Sequence, residues 1–285
     1  MRTLLRHVKD FLPLQSRTRL RQLLAGVPLA RQLAQVALCP WQVDFVIGGT
    51  MKGGTSALNA FLDQHPEIRM ASGKEAHFFD TDEHFQPGVR PDYEFLHRQF
   101  APRPHTRLLG DATPIYLYWE PVPARVMTYN PRMKWVLLLR QPVERAYSHW
   151  NMLRQNGHEP LDFADAVAQE PWRRAGLTGQ CRVFAYLDRS FYAQQLRRLF
   201  RVVPRRQVLV LRSEELRRDH HATLERIFTF LGVDRRVRIE RAAIHQRSYE
   251  APLPAGLKRE LTMRFVEDIG ELEGLLGWDL SEWLV

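Results

Sequence analysis

A glycine-rich stretch between an apolar run and an amphipathic run is the part of the sequence best suited to binding a phosphate. Residues 44–58 read DFVIGGTMKGGTSAL. Glycines let the backbone turn sharply and bring its N–H groups near an anion, and the helix that follows directs its positive end at the same point. We therefore predict that a nucleotide phosphate is held by Lys52, Gly53, Gly54, Thr55 and Ser56.

The lysine of this stretch is displaced from the position that ATP-binding loops require. The signature G-x-x-x-x-G-K-[ST] is nearly satisfied from Gly48 to Thr55, but Gly54 occupies the lysine position and Lys52 lies two residues earlier. A lysine inside the turn could cover the bridging oxygen on which charge develops as a bond breaks. This is not a standard NTPase loop, and an ordinary glycine turn is the structural alternative.

A second cation follows another apolar run. Residues 134–139 read KWVLLL and predict a buried strand that ends at Arg140, and Pro142 is suited to the first position of the next helix. Ser148 lies about two turns into that helix. The guanidinium fork and the hydroxyl could together hold a second phosphate. Taken alone, Arg140 is more typical of a plain arginine at the end of a strand.

The elements that must position these residues alternate along the chain. Short apolar runs at 43–47, 68–70, 108–110, 135–139 and 208–211 are interspersed with helical patterns at 55–64, 143–155, 191–200 and 221–231. This alternation predicts a single α/β domain with a central parallel sheet flanked by helices. Ligands of such sheets bind at the carboxyl ends of the strands. We expect loops at 80–107, 156–182 and 245–256 to converge there.

Charge divides the chain into two parts. The 285 residues carry 41 Lys and Arg against 32 Asp and Glu, a net charge of +9. Residues 1–40 hold seven of those cations and one acid, so they supply +6. We predict a basic amphipathic N-terminal segment at 1–40 and a catalytic domain at 41–285. A general nucleic-acid binder would spread its charge over the folded domain, so no nucleic-acid partner is expected.

The N-terminal segment has two interpretations. Its apolar residues fall at helical spacing among arginines, so it could make peripheral contact with an anionic membrane surface. Alternatively, it packs on the enzyme body as a pair of helices. It lacks the roughly 18 consecutive apolar residues of a membrane span and the features of a signal peptide. We expect a cytoplasmic protein, with the inner membrane surface as one location.

Cysteine and histidine spacing predicts no metal site. The two cysteines, Cys39 and Cys181, are too few for a disulfide framework or a thiolate zinc site. No H-E-x-x-H or similar ligand spacing occurs. The predicted chemistry therefore uses no metal.

Several motifs in order resemble the sulfotransferases that use 3′-phosphoadenosine 5′-phosphosulfate (PAPS), especially the heparan sulfate branch and its bacterial relatives. The resemblance covers about residues 43–283 and includes KGGTS at 52–56, Arg140 with Ser148, KEAHFFD at 74–80, GDATPIY at 110–116 and LLGWDL at 275–280. It implies a P-loop NTPase-like sulfotransferase fold. It also implies transfer of a sulfuryl group from PAPS to a hydroxyl or amine of a glycan, glycoconjugate or small molecule.

The resemblance also implies roles for single residues. Lys52 would neutralise the leaving group, Glu75 would be the base, and His77 would orient the acceptor or share the proton. We expect the two phenylalanines after His77 to exclude water and raise the pKa of Glu75. A solvated Glu75 paired with Lys74 and a structural His77 are the alternatives. The remaining assignments are an acceptor pocket at Asp111, Thr113 and Tyr116, and donor binding at Arg247.

Two other classes of function compete with this assignment. An ATP-dependent kinase would need a lysine at position 54 and an acidic residue at the end of a strand to hold magnesium. Gly54 and Arg140 argue against it. A basic membrane or nucleic-acid binding module would depend on residues 1–40 alone. The sequence does not identify the acceptor, for which a saccharide is one candidate.

Overall fold

The computed structural model describes residues 42–175, 183–241, 248–249 and 251–285. The predicted N-terminal segment, both cysteines and Arg247 lie outside these ranges, so the division at residue 40 stays a prediction. Within the described ranges no helix is long and apolar enough to cross a membrane.

Five parallel strands form one sheet. Its spatial order is β2-β3-β1-β4-β5, with β1 in the centre. β1 pairs with β3 and β4, β2 with β3, and β4 with β5, all in parallel register. The strands are β1 Phe45–Gly49, β2 Ile68–Met70, β3 Leu108–Asp111, β4 Lys134–Leu139 and β5 Val208–Arg212.

Helices cover both faces of the sheet. They are α1 Thr55–Leu62, α2 Tyr93–His97, α3 Val122–Tyr129, α4 Pro142–Gln155, α5 Phe163–Arg174, α6 Tyr192–Val202, α7 Ser213–Arg218, α8 His220–Leu231, α9 Ala255–Thr262 and α10 Val266–Leu276. Short 3-10 turns occupy Asp82–Phe85, Asp188–Ser190, Arg205–Gln207, Met263–Phe265 and Ser281–Leu284.

The core has two layers because alternate side chains of a strand point to opposite faces. Phe45 and Ile47 of β1 pack with α1 and α8. Val46 of the same strand belongs to the larger layer formed with α3, α4, α5, α6 and α10. All of β1 and nearly all of β4 are buried, which is the continuous apolar pattern of a parallel sheet covered on both sides.

The predicted α/β architecture is confirmed. Each of the five apolar runs forms a strand, and the four helical patterns form α1, α4, α6 and α8 with small shifts of their ends. The prediction of loops was wrong in part, since α2 lies within 80–107 and α5 within 156–182. In α5, Asp162 caps the first turn by accepting a hydrogen bond from the Asp165 amide at 2.9 Å, a signal that the surrounding Pro, Gly and His residues obscured.

The connections after β1 and β4 diverge. The helix that follows β1 lies on one face of the sheet and the helix that follows β4 lies on the other. Such a divergence between adjacent parallel strands opens a crevice at their carboxyl ends, where ligands of open α/β folds bind. The glycine-rich loop and Arg140 both lie at this crevice.

Candidate functional site

The glycine-rich loop is held tightly against the end of β4. The amide and hydroxyl of Thr50 both donate to the Leu138 carbonyl at 2.9 Å, and the Gly53 amide donates to the Thr50 carbonyl at 2.8 Å. A Cβ on Gly53 would lie 2.5 Å from the Leu138 carbonyl oxygen, so this position accepts only glycine without a shift of the backbone. The hydrogen bonds of Thr50 and the absence of a side chain at Gly53 therefore allow a compact turn.

The first turn of α1 is suited to an anion. Gly54 precedes the helix in the left-handed region, with φ 102°, and Lys52 is also left-handed, with φ 67°. Among the described residues, no side chain caps the amides at the start of α1. Uncapped amides at a helix N-terminus carry partial positive charge and bind phosphate groups. Thr55 is buried in this turn and Ser56 is exposed.

Arg140 lies directly against this loop. It follows β4, and its side chain is only 12% exposed. Its Nη1 donates to the Lys52 carbonyl at 3.5 Å, and its Nη2 donates to Glu144 Oε2 at 3.2 Å and to the Tyr249 hydroxyl at 3.4 Å. Arg140 therefore contacts the backbone of the loop that carries Lys52.

Ser148 is buried on α4, one turn after Glu144, whose carboxylate contacts Arg140. The segment that follows residue 247 lies across the same helix. Asn151 Nδ2 donates to the Ser248 carbonyl at 3.3 Å, and the Tyr249 ring stacks on Tyr147 with centroids 5.5 Å apart. Residues 248–249 thus contact both Arg140 and α4. Arg247 lies outside the described residues, so its role in donor binding stays a prediction.

Arg145 supports the glycine-rich loop from below, a role that the sequence analysis missed. It is fully buried, and its Nε donates to the Ser190 hydroxyl at 2.6 Å. Its two Nη groups donate to the carbonyls of Met51 and Tyr186. Burial lowers the pKa of this guanidinium below its usual range. The sequence gives little signal for this role, because Arg145 is one of several polar residues on α4.

The predicted base lies in a second loop, after β2. Glu75 and His77 both have left-handed backbones, with φ 69° and 50°. The Glu75 carboxylate pairs with Lys74 and, through Oε2, with His77 Nε2 at 3.3 Å. His77 Nδ1 contacts Asp80 Oδ2 at 3.0 Å. The loop therefore forms a chain of alternating charges.

The pKa of Glu75 shifts in the direction opposite to our expectation. Burial favours the neutral acid, but hydrogen bonds from His77 and Lys74 outweigh it and lower the pKa to about 2. The hydrogen bonds with Asp80 and Glu75 raise the pKa of His77 to about 9. The rings of Phe78 and Phe79 are fully buried in the core. At neutral pH the loop thus holds an ionised Glu75 beside a protonated His77.

Asp111, Thr113 and Tyr116 lie beneath this second loop. All three are fully buried. Asp111 Oδ1 accepts from the Ala76 amide at 3.3 Å and from the Thr113 hydroxyl at 2.9 Å, and Thr113 Oγ1 accepts from the His77 amide at 3.4 Å. All three contact the backbone of the loop, and their predicted role in an acceptor pocket stays a prediction.

The same segment links the two loops. Beyond Thr113, the Leu117 amide donates to the Gly48 carbonyl at the end of β1, at 2.8 Å. β3 lies between β2 and β1, and all of their carboxyl ends meet at one edge. Lys52, Arg140 and Glu75 therefore lie along the same edge of the sheet.

Cavities elsewhere in the molecule do not include these residues. One of about 150 Å³ lies between α8 and residues 235–239. Another, of about 120 Å³, lies at the amino ends of the strands, beside Asp44 and Lys134. We assign the site to the carboxyl edge because the convergent cations and amides lie there. Within the described part of the chain, no cluster of His, Cys, Asp and Glu has the composition of a metal site.

The chain belongs to the family of the sulfotransferase domain, whose sequence profile matches residues 42–252.

Known proteins resemble this chain over different extents. A crystal structure of a sulfotransferase from Alicyclobacillus acidocaldarius superposes with a TM-score of 0.74 at 30% identity, covering 85% of this chain and 98% of that one. Human heparan sulfate glucosamine 3-O-sulfotransferase 3B1 is 31% identical over 191 residues, which are 67% of this chain and 46% of that protein. A membrane-associated sulfotransferase of Dictyostelium discoideum is 33% identical over 125 residues, 42% of this chain and 26% of that protein. The chain thus spans less than half the length of these two relatives.

Proposed function

We propose that this protein transfers a sulfuryl group from PAPS to an acceptor hydroxyl and releases adenosine 3′,5′-bisphosphate. The observation that carries the proposal is the contact between Arg140 and the Lys52 carbonyl, because it joins two phosphate-binding elements in one crevice. A donor with phosphates at both its 5′ and 3′ positions requires two such elements.

The residues of the crevice fit this donor. We assign the 5′-phosphosulfate to Lys52 and to the amides at the start of α1, with Gly53, Gly54, Thr55 and Ser56 forming the turn. We assign the 3′-phosphate to Arg140 and Ser148. Arg140 Nε is buried and, among the described residues, has no hydrogen-bond partner, so the guanidinium keeps donor capacity for an anion. Arg247 is our further candidate for this phosphate.

Glu75 is our candidate for the general base. The donor supplies a sulfuryl group whose bond to the bridging phosphate oxygen breaks as the acceptor oxygen attacks sulfur. The acceptor proton passes to Glu75, and Lys52 neutralises the charge on the leaving phosphate. A carboxylate with a pKa of about 2 is a weak base. We infer that an approaching acceptor hydroxyl replaces Lys74 at Glu75, which removes one of the hydrogen bonds that lower this pKa.

His77 positions the base. Its two nitrogens join Glu75 to Asp80, which is fully buried and so provides a rigid anchor. Asp111 and Thr113 hold the backbone of the same loop from below. This arrangement restricts the rotation of the Glu75 carboxylate and so favours one direction of attack.

We propose a saccharide hydroxyl as the acceptor. The support is the similarity to heparan sulfate glucosamine 3-O-sulfotransferase 3B1, whose name specifies a sugar hydroxyl. A highly anionic polysaccharide is less well supported, because Ala112 is apolar and buried where several members of the glycosaminoglycan-modifying branch carry a lysine.

Two variants and one labelling experiment test these roles. The protein is incubated with radiolabelled PAPS and a panel of saccharides and cell extracts, without added metal, and the labelled product is identified. Lys52→Ala should lower turnover by about 10²–10³-fold while the fold is kept. Glu75→Gln should retain nucleotide binding and lose about 10²–10⁴-fold in turnover.

Glu83→Gln is the matched control, because Glu83 is an exposed acid of the turn that follows the same loop. It should behave like the native protein. Normal turnover in both Lys52→Ala and Glu75→Gln would contradict the proposed roles. Failure of the native protein to bind adenosine 3′,5′-bisphosphate would contradict the proposed function itself.

A further inference from the structure

Glu144 places a carboxylate on the guanidinium that we assign to the 3′-phosphate. Its Oε2 accepts from Arg140 Nη2 at 3.2 Å, and its Oε1 lies 3.6 Å from Lys258 Nζ on α9. Arg140 is almost buried, whereas the Glu144 side chain is 36% exposed. The arginine is therefore nearly enclosed, whereas the glutamate borders solvent.

We propose that Glu144 competes with the 3′-phosphate for Arg140 and thereby limits the affinity of the site for the donor and for the released bisphosphate. When phosphate binds, the Glu144 carboxylate leaves Nη2 and remains paired with Lys258 alone. This inference rests on the proposed function, because it requires a 3′-phosphate at Arg140. It makes Glu144 a determinant of affinity and product release rather than a catalytic residue.

The geometry favours competition between Glu144 and a phosphate for Arg140 over a role of Glu144 in only supporting Arg140. Carboxylate and phosphate oxygens both bind the guanidinium fork, so they use the same N–H donors. Nη1 donates one of its two N–H groups to the Lys52 carbonyl, both N–H groups of Nη2 are engaged, by Glu144 and Tyr249, and the buried Nε has no partner among the described residues. A phosphate that binds the Nε and Nη2 side of the fork must therefore displace Glu144 or Tyr249 from Nη2. Glu144 is the charged one and has Lys258 as a second partner.

A second acid lies near the same cation. Glu214, on α7, interacts electrostatically with both Arg140 and Glu144, and burial raises its pKa. Its Oε1 accepts from Arg217 at 3.1 Å, which keeps it engaged elsewhere. Among the acids on this side of Arg140, Glu144 is therefore the one in direct contact.

The alternative explanation, that Glu144 only supports Arg140, predicts the opposite change in affinity for the bisphosphate. If Glu144 only orients Arg140 and starts α4, where its amide donates to Gln141 Oε1 at 2.8 Å, its removal disorders the guanidinium and weakens phosphate binding. Competition predicts tighter binding, and only for ligands that carry the 3′-phosphate.

Isothermal titration calorimetry on the full chain separates these explanations. The ligands are adenosine 3′,5′-bisphosphate and adenosine 5′-monophosphate, which lacks the 3′-phosphate. Glu144→Gln should tighten binding of the bisphosphate by roughly three- to tenfold and leave the monophosphate unchanged. The dissociation rate of the bisphosphate, followed by stopped flow, should fall by a similar factor.

Two further variants complete the design. Glu144→Asp keeps the charge but is one methylene too short for the present contact, so it should also tighten binding of the bisphosphate; an unchanged affinity would indicate a distant charge effect and overturn the competition. Glu260→Gln removes an exposed acid from α9, the helix of Lys258, and should change neither ligand. Weaker or equal binding of the bisphosphate to Glu144→Gln overturns the proposal. If the native protein binds both ligands equally, the assignment of Arg140 to the 3′-phosphate fails first.

Discussion

Replacing Asp80 with Asn should lower the pKa of His77 and weaken the positioning of Glu75. His77 Nδ1 contacts Asp80 at 3.0 Å and Nε2 contacts Glu75 at 3.3 Å, and together they raise its pKa from 6.5 to about 9. Asp80 is the larger cause. An opposite charge at this distance typically accounts for about 1–3 pKa units. We expect the Asp80→Asn midpoint to fall by roughly 1–2 units.

The sign of the accompanying change in stability follows from the raised pKa. The folded state binds the His77 proton more tightly than the unfolded state, so this contribution is fully present below pH 6.5 and is lost as the pH rises through about 9. Because the His77 side chain is 48% exposed, solvent screening reduces it to about 1 kcal/mol or less. The difference in unfolding free energy between native protein and Asp80→Asn should therefore shrink as the pH rises across this window.

The assay is an NMR titration of the histidine rings, with His77→Gln used to assign the His77 signal among the 11 histidines. The loss of activity at alkaline pH should shift by the same amount as the midpoint of the His77 titration. Glu83→Gln, which changes an exposed charge of the neighbouring turn, should leave both unchanged. A native midpoint near 6.5, or one that Asp80→Asn does not move, would refute the assignment of a charged His77 at neutral pH.

Three further outcomes are expected. Gly53→Ala should fold but lose binding of adenosine 3′,5′-bisphosphate by at least about tenfold in calorimetry, because its Cβ would lie 2.5 Å from the Leu138 carbonyl and shift the loop. Ser148→Ala should weaken binding of the bisphosphate by about tenfold or more, since a hydrogen bond to a charged group is worth about 1.5–3 kcal/mol. Its affinity for adenosine 5′-monophosphate should be unchanged. Removal of residues 1–40 should keep donor binding but abolish sedimentation with vesicles rich in anionic lipid; retained sedimentation would contradict the predicted membrane contact.

Local sequence determined the architecture and the phosphate-binding loop. The central strands β1 and β4 are nearly continuous apolar runs, which is the pattern of strands covered by helices on both faces of a parallel sheet. The loop after β1 is contiguous, so its glycines and Lys52 are positioned by the backbone of one turn. Arg140 was identifiable because the end of a buried strand in a parallel sheet must lie at the carboxyl edge.

Tertiary structure decided how these residues are charged, supported and exposed. The low pKa of Glu75 depends on the folding of its own loop around Lys74 and His77, and the burial of Asp111, Thr113 and Tyr116 depends on packing between β3 and that loop. Arg145 contacts the carbonyl of Met51, which lies 94 positions away in the chain, and Glu144 contacts Lys258, which lies 114 positions away. Electrostatics acts through space and depends on burial, so a pattern of neighbouring residues does not determine it.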